Sequence, residues 1–383
     1  MIALVGLVFC FGALCSAAVL LVRMLELPSL DDYTVEPLEA PPRVSVIVAA
    51  CNEASTIEPA LRRLLQDEDS SREVIVVEDR STDDTRAILR RLASEFGDQL
   101  QLVCIDELPP GWLGKVHALH RGSQEAQGDW LLFSDADVHI DGALLRRAVA
   151  LCERRGLDHL ALLPKLSTTT FLARIVIAAF VGIFAMSSSR RRRQNPQDRD
   201  HGLGVGAFNL CRRSVFERSE GFKWLRMEVA DDLALGLAMK RAGAQHECMI
   251  ARTGLEVEWY PDLPSMFRGL EKNSFGAVGH YSFLRAIVFV LGLIIACAGP
   301  LLCVGAYPMA TGIAYLALAW VGILGARHLN WDRSPFLFAP LGIFIIALIL
   351  LNSTAQAWRR GHVTWRGTSY DLDALKKNQI FRL

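Results

Sequence analysis

The sequence predicts an α/β fold with a mostly parallel central sheet, flanked by N-terminal and C-terminal transmembrane helices. Three observations carry this reading. Apolar runs of strand length alternate with helix-period stretches from Val44 to Ile140, which is the rhythm of βαβ units. The runs end in polar and acidic residues, where α/β proteins place ligands. Met1–Val22, Ala286–Ala326 and Phe336–Trp358 each lack a charged residue.

The chain has 383 residues, enough for one sizeable domain and a membrane region. Its 41 basic and 41 acidic side chains cancel, so charge gives no reason to expect a nucleic acid partner. Hydrophobic residues make up 51% of the chain, high for a soluble protein. The nine cysteines form no CxxC pair, and their odd number argues against a disulfide framework. Reduced thiols fit a soluble part that faces the cytoplasm.

Residues 1–25 read as an uncleaved anchor, since no basic segment precedes the apolar run and Arg23 follows it. Arg23 on the distal side favours a cytoplasmic domain. Ala286–Ala326 is long enough for two spans hinged at Tyr307-Pro308, and Phe336–Trp358 offers a third, so residues 276–358 hold two or three. An anchor plus three full crossings would put the basic tail, 359–383, on the far side. Either the last segment, with Pro335 and Pro340, re-enters on the same face, or the first does not cross fully.

Residues 26–42 are acidic and proline-rich and read as a linker to a domain spanning 43–275. Val44–Ala50 is a buried-strand pattern, followed by Cys51-Asn52-Glu53 and a helix over about 56–66. The strand Glu73–Val77 carries Glu78-Asp79 at its end, and a helix follows from Ala87 to Phe96. Leu100–Ile105 is a third strand, and Lys115–Gln127 a helix before the strand that begins at Trp130. No GxGxxG follows the first strand, which leaves a nicotinamide or flavin enzyme unsupported.

The strand from Trp130 runs into Asp135-Ala136-Asp137. Two carboxylates one residue apart suit a divalent ion that leaves positions open for phosphate oxygens, although a turn pair reads the same way. Asn52, Glu53 and Asp79 offer acceptors to a base and a ribose, while Asp79 equally fits an Asx-turn cluster. Lys115, at a helix start after a glycine- and proline-rich loop, either neutralises a diphosphate or closes a turn. The glycines of His201–Asn209 either permit close backbone approach to a ligand or form a tight loop between strands. Asp231 and Asp232 open a helix, one to hold its start and the other to face the cleft as a base. Arg268 and Lys272 share a helical face and reach either phosphates or lipid headgroups. Residues 169–189, followed by Arg190–Arg193, suggest an interfacial helix whose arginines meet anionic lipid, with a further transmembrane helix as the alternative.

In order, VSVIVAACNEASTI, VVEDRSTDDT, the Asp135–Asp137 DAD, GVGAFNLCRRSVF and ADDLALGLAMKRAG resemble the inverting, nucleotide-sugar-dependent glycosyltransferase family 2 with its GT-A fold. The resemblance covers roughly 43–275, and PPGWLGKVHAL with GHVTWRGTSY is most similar to the membrane-bound branch acting on ceramide, hopanoid-associated and carotenoid acceptors. It implies that Ala50, Asn52 and Glu53 surround the nucleobase and Asp79 holds base or ribose. It also implies that Asp137, with Asp135, binds a Mn2+ or Mg2+ diphosphate, and that Asp232 is the general base. Asp231 stands where glutamate is usual, Glu78 replaces the usual Asp or Asn, and Arg268–Asn273 lacks the QxxRW signature of processive synthases. The implied activity is transfer of a hexose from a UDP-sugar to a lipid hydroxyl at the inner, cytoplasmic membrane. A polyprenyl-phosphate acceptor and a non-catalytic membrane scaffold are the alternatives.

Overall fold

The computed structural model describes residues 1–66, 71–187, 189–365 and 368–381. Its strands in chain order are β1 (Val44–Ala50), β2 (Arg72–Asp79), β3 (Leu100–Ile105), β4 (Trp130–Asp135), β5 (Val138–Ile140) and β6 (His159–Leu163). They continue as β7 (Lys165–Ser167), β8 (Asn209–Arg212), β9 (His246–Ile250), β10 (Leu255–Glu258), β11 (His362–Trp365) and β12 (Thr368–Asp371). A 7-stranded sheet has the order β3-β2-β1-β4-β8-β6-β9. β3, β2, β1 and β4 are parallel neighbours, and only β8 runs against its neighbours β4 and β6.

Continuous apolar runs make β1 and β2 strands buried on both faces, as a sheet covered by helices requires. Helices Ile57–Leu65 and Thr85–Phe96 cover one face, their apolar residues at helical spacing. Helix Gly114–Glu125 covers the other and approaches closely. A Cβ on Gly122 would stand 2.5 Å from the Ile47 Cγ2 methyl. Every strand expected before residue 140 is present, β2 longer at both ends because Arg72, Glu78 and Asp79 also pair.

The expected linker is partly docked. Leu30 is fully buried, Ile250 donates to the Pro28 carbonyl at 2.8 Å, and Arg252 donates its N–H to Asp31 at 2.8 Å. The basic tail also folds back: Val363, Tyr370, Leu375 and Phe381 join a core with Phe222, Leu225 and Ala234.

Among the described residues, four helices are long and apolar enough to cross a membrane: Ile2–Leu25, Phe283–Cys303, Pro308–Leu329 and Ser334–Arg360. The first three lie together. Gly6 packs on Cys303 and Gly299 on Phe9 at one end, while Met24, Leu27 and Leu329 cluster with Ile250 of the soluble domain at the other. The fourth has both ends at the domain. Phe336 joins the Met24–Ile250 cluster, and at the far end Ser353 accepts the Phe275 N–H at 3.1 Å while Arg360 pairs with Glu271 at 2.6 Å. A helix over the expected interfacial stretch spans Phe171–Ser187 and packs on this fourth helix, where a Cβ on Gly342 would stand 2.4 Å from the Ile175 carbonyl. The arginines after it are largely committed to protein. Arg190 pairs with Glu247 at 3.3 Å, Arg192 contacts His201 at 3.0 Å, and Arg193 is buried.

Phe133 of β4 anchors the strand that ends at Asp135, its ring 4.9 Å from Phe222 and 5.2 Å from Phe216. Phe133→Ala is predicted to cost about 3–5 kcal/mol, read as a lower midpoint in chemical denaturation of the detergent-solubilised protein.

Candidate active site

The carboxyl ends of β1, β2 and β4 open onto a cavity of about 1340 Å³. Its polar end is lined by Glu53, Asp79, Lys115, Asp135, Asp137 and Asp232, with Ala50 and Asp231 beside them. Its other end is lined by Phe180 and Phe184 of the Phe171–Ser187 helix, by Leu284, Phe289 and Ile349 of the membrane segments, and by Trp259, which follows β10.

Lys115 sits at the centre of the polar end. Its Nζ lies 2.7 Å from Asp135 Oδ1 and 3.3 Å from Asp231 Oδ2. Burial works against its charge, but Asp135, Asp231 and Asp232 outweigh it and hold the ammonium well above its ordinary value. The lysine therefore stays charged and ties the end of β4 to the start of helix Asp231–Arg241. Asp231 is raised to about 7, first by burial and then by Asp232 and Asp135, with Lys115 opposing. Burial also raises Asp232. Asp137 is raised to about 7 by burial and by the charges of Asp135 and Glu53. Among the described residues, no group of three or more His, Cys, Asp or Glu side chains is arranged to hold a metal ion.

The glycine loop before β8 approaches these aspartates closely. Gly206 donates its N–H to Asp232 Oδ2 at 2.9 Å and accepts from the Asp135 N–H at 3.0 Å. A Cβ at Gly206 would stand 2.6 Å from Asp135 Oδ2, so glycine is required for the two acids to meet across it. The close approach that the glycine spacing permits is thus made to side chains of the protein itself. Beneath the loop runs a buried chain of hydrogen bonds. His246 Nε2 accepts the Leu203 N–H at 3.3 Å, which leaves its Nδ1–H to donate to His159 Nδ1 at 2.6 Å. His159 Nε2 then donates to Asn209 Oδ1 at 3.1 Å, and Asn209 Nδ2 donates to the Asp232 carbonyl at 3.3 Å.

At the end of β2, Arg80 folds back on Asp79 through two bonds of 2.7 and 3.1 Å, its backbone left-handed at φ 54. Glu78 is fully buried and accepts the Ser81 N–H at 2.6 Å and Arg86 Nε at 2.5 Å, so this departure serves the loop. Two expected site residues lie apart from the cavity. Asn52, at φ 56, accepts the Thr82 N–H at 2.8 Å and shapes the loop between the strand ends. Arg268 is exposed and bonds Ser265 at 3.2 Å, because the helix Leu263–Ala277 turns that face outward. The side chain of Lys272, on the same helix, lies outside the described residues. Arg80, Asn209, His159 and His246 are brought to the site without having been singled out. Of these, Arg80, adjacent to Asp79, and Asn209, at the end of the glycine loop, carried a signal in the sequence.

A mostly parallel sheet whose carboxyl ends present this cluster defines a GT-A glycosyltransferase domain. Residues 45–220 match the sequence model of glycosyl transferase family 2, and the chain therefore carries a family 2 domain. The whole chain is similar to a mannosyltransferase from Pyrobaculum calidifontis solved in complex with GDP-Man and Mn2+. The TM-score is 0.52 at 21% identity, over 92% of this chain and 99% of that one, a likeness of fold. Among curated proteins, it is 25% identical over 207 residues to 4,4'-diaponeurosporenoate glycosyltransferase of Staphylococcus haemolyticus, 52% of each chain. It is also 33% identical over 124 residues to beta-monoglucosyldiacylglycerol synthase of Trichormus variabilis, 32% of this chain and 26% of that protein. The chain thus spans about half or less of the length of these relatives.

The histidine pair makes stability depend on pH. Burial pushes His159 from 6.5 to about 4 and holds His246 well below its ordinary value. Above about 6.5 both states are neutral; as pH falls towards 4 the unfolded chain takes up protons that the folded pair refuses, and stability is lost. Between about pH 7 and about pH 5, thermal unfolding of His159→Asn should lose fewer degrees than the parent, the difference isolating this pair from the raised carboxylates.

Proposed function

We propose that this protein is an inverting glycosyltransferase that moves a hexose from a nucleoside-diphosphate sugar, UDP-linked by family expectation, to a hydroxyl of a membrane lipid. The observation that carries this reading is the continuity of the cavity: acidic strand ends at one side, apolar membrane-helix side chains at the other. A polar donor and an apolar acceptor meet in such a space without either entering the other's solvent. The two relatives whose names contain diaponeurosporenoate and diacylglycerol support an apolar acceptor.

In this reading Ala50, Glu53 and Asp79 border the nucleoside, and Lys115 at the start of helix Gly114–Glu125 faces the diphosphate. Asp135 and Asp137 fit a divalent cation, since with Glu53 they concentrate negative charge enough to raise Asp137 to about 7. Mn2+ or Mg2+ held there would neutralise the diphosphate, whose oxygens complete the ligand set. The acceptor oxygen attacks the anomeric carbon while the bond from that carbon to the phosphate oxygen breaks. The hydroxyl proton passes to Asp232, and the nucleoside diphosphate departs with the bonding pair. The Gly206 N–H fixes the orientation of the Asp232 carboxylate, and burial raises its affinity for the proton. Asp231, paired with Lys115, holds the helix start.

Asp232→Asn is expected to lower turnover by about 10² to 10⁴ while sparing donor binding. Asp137→Ala should weaken donor binding as well. Sugar transfer to lipid extracts, read by mass, tests both. If Asp232→Asn turned over at the parental rate with a hydroxyl lipid, the base assignment would be wrong. A small loss confined to a polyprenyl phosphate, which arrives already ionised, would favour that acceptor.

The same reading sets the topology. Helices Ile2–Leu25, Phe283–Cys303 and Pro308–Leu329 cross, and Ser334–Arg360 lies along the cytoplasmic face, since both its ends pack on the domain. The tail then lies beside the domain, which resolves the conflict posed by its basic charge. Reporter fusions after residues 330 and 383 are predicted to report the same side and one near residue 306 the other. Opposite sides for 330 and 383 would show that the last segment crosses.

A further inference from the structure

The tail beyond the last apolar helix reaches the polar end of the cavity. β11 and β12 pair antiparallel, and the helix Leu372–Asn378 follows. Tyr370 on β12 is 9% exposed and joins the buried core that contains Leu113 and Val116, on either side of Gly114 and Lys115. Gly114 opens the helix that carries Lys115, and a Cβ there would stand 2.5 Å from Asp79 Oδ2 and 3.0 Å from Arg80 Nη2. Tyr370 and Thr368 line the cavity beside Asp79 and Lys115.

The strap is latched at its far end. Glu228 is 3% exposed, and its Oε2 accepts the N–H groups of Ile380 at 2.6 Å and Phe381 at 3.0 Å. Its Oε1 accepts the Ala230 N–H at 3.1 Å, next to Asp231 and Asp232. Gln379 donates to the Gly276 carbonyl at 2.9 Å. The tail therefore bridges the Asp79–Gly114 wall, which meets the nucleoside side, and the Glu228–Asp232 segment, which carries the acid pair. A buried carboxylate satisfied by three backbone N–H groups is a costly arrangement for a loose C-terminal end, and a strong one for an element that must stay in place.

We propose that the C-terminal strap is a wall of the nucleotide-sugar site and that Tyr370 is its positioning residue. The Tyr370 ring packs in the core beneath the first turn of the Lys115 helix, with Leu113 and Val116, and closes the nucleoside end of the cleft. The Glu228 latch holds the phenol there. This assignment rests on the donor reading above and extends it to residues beyond the family-matched segment.

The test uses the full chain in detergent or nanodiscs, with titration of UDP, GDP and their hexose conjugates and with steady-state kinetics. Tyr370→Ala is expected to raise the donor KM and the nucleotide Kd by about tenfold, with kcat and the acceptor KM nearly unchanged. Tyr370→Phe, which keeps the ring and the packing, should leave the donor KM within about twofold of the parental value. Glu228→Gln should speed hydrogen exchange across residues 368–381 and raise the donor KM in the same direction. Unchanged donor KM in Tyr370→Ala, or a loosened tail with unaltered donor KM in Glu228→Gln, would overturn the proposal. Parental protein that binds none of the nucleotides would instead overturn the donor reading itself, and the two failures are therefore told apart.

Discussion

The Lys115 ammonium, held between Asp135 and Asp231, is the contact on which the site depends. It joins the end of β4, the start of helix Gly114–Glu125 and the start of helix Asp231–Arg241, which are remote in the chain. Without it three carboxylates would face one another in a half-buried space, where like charges interact far more strongly than in water. One lysine does not balance the set, however. Asp137 and Asp231 both rise to about 7, so the polar end retains a demand for positive charge. A cleft that keeps such a demand beside a helix start is suited to a ligand that brings a cation and a phosphate together.

The rest of the local sequence serves this cluster by removing bulk or adding order. Gly206 lets Asp135 and Asp232 approach across a single backbone unit, and Gly204 and Gly236 pack where side chains would collide, with a Gly204 Cβ 1.9 Å from the Asp232 carbonyl. Such a loop would be floppy by composition. The His246–His159–Asn209 chain beneath it supplies the stiffness, every buried donor finding an acceptor in one consistent set of tautomers. Helix propensity and apolar period say nothing of this network, because its members sit on β6, β8 and β9 and meet only when the sheet is assembled.

What could be read in advance follows from that distinction. β1, β3, β4 and the helices between them were legible because each is a short apolar run or an amphipathic repeat with its own local signal. The carboxylates at their ends were legible for the same reason, and Glu53, Asp79, Asp135, Asp137, Asp231 and Asp232 do gather around one cavity. Asn52 was placed by its position at a strand end and Arg268 by helical spacing, and the structure gives them other partners: a turn N–H for the first and a neighbouring serine for the second. Glu228, Tyr370 and the histidine pair were not legible, since their partners lie far away in sequence; Glu228 and Phe381 are separated by the entire membrane region.

That separation also explains why the last apolar helix need not cross. Its sequence is hydrophobic enough to span, but Ser353 bonds the backbone at Phe275 and Arg360 pairs with Glu271, contacts that bring its second end back to the domain. Gly342 lets it press against the Phe171–Ser187 helix, so the two form a roof of apolar side chains over the far end of the cavity. The hydrophobic residues of this last helix have two surroundings: Ile346 and Ile349 line the cavity, while Leu341, Phe344, Leu348 and Leu351 are exposed on the outer side, which accounts for apolarity around most of its circumference. The chain leaving it joins the core of Leu113 and reaches Glu228. The contacts that bring the last apolar helix over the apolar end of the cavity therefore also deliver the tail to its polar end.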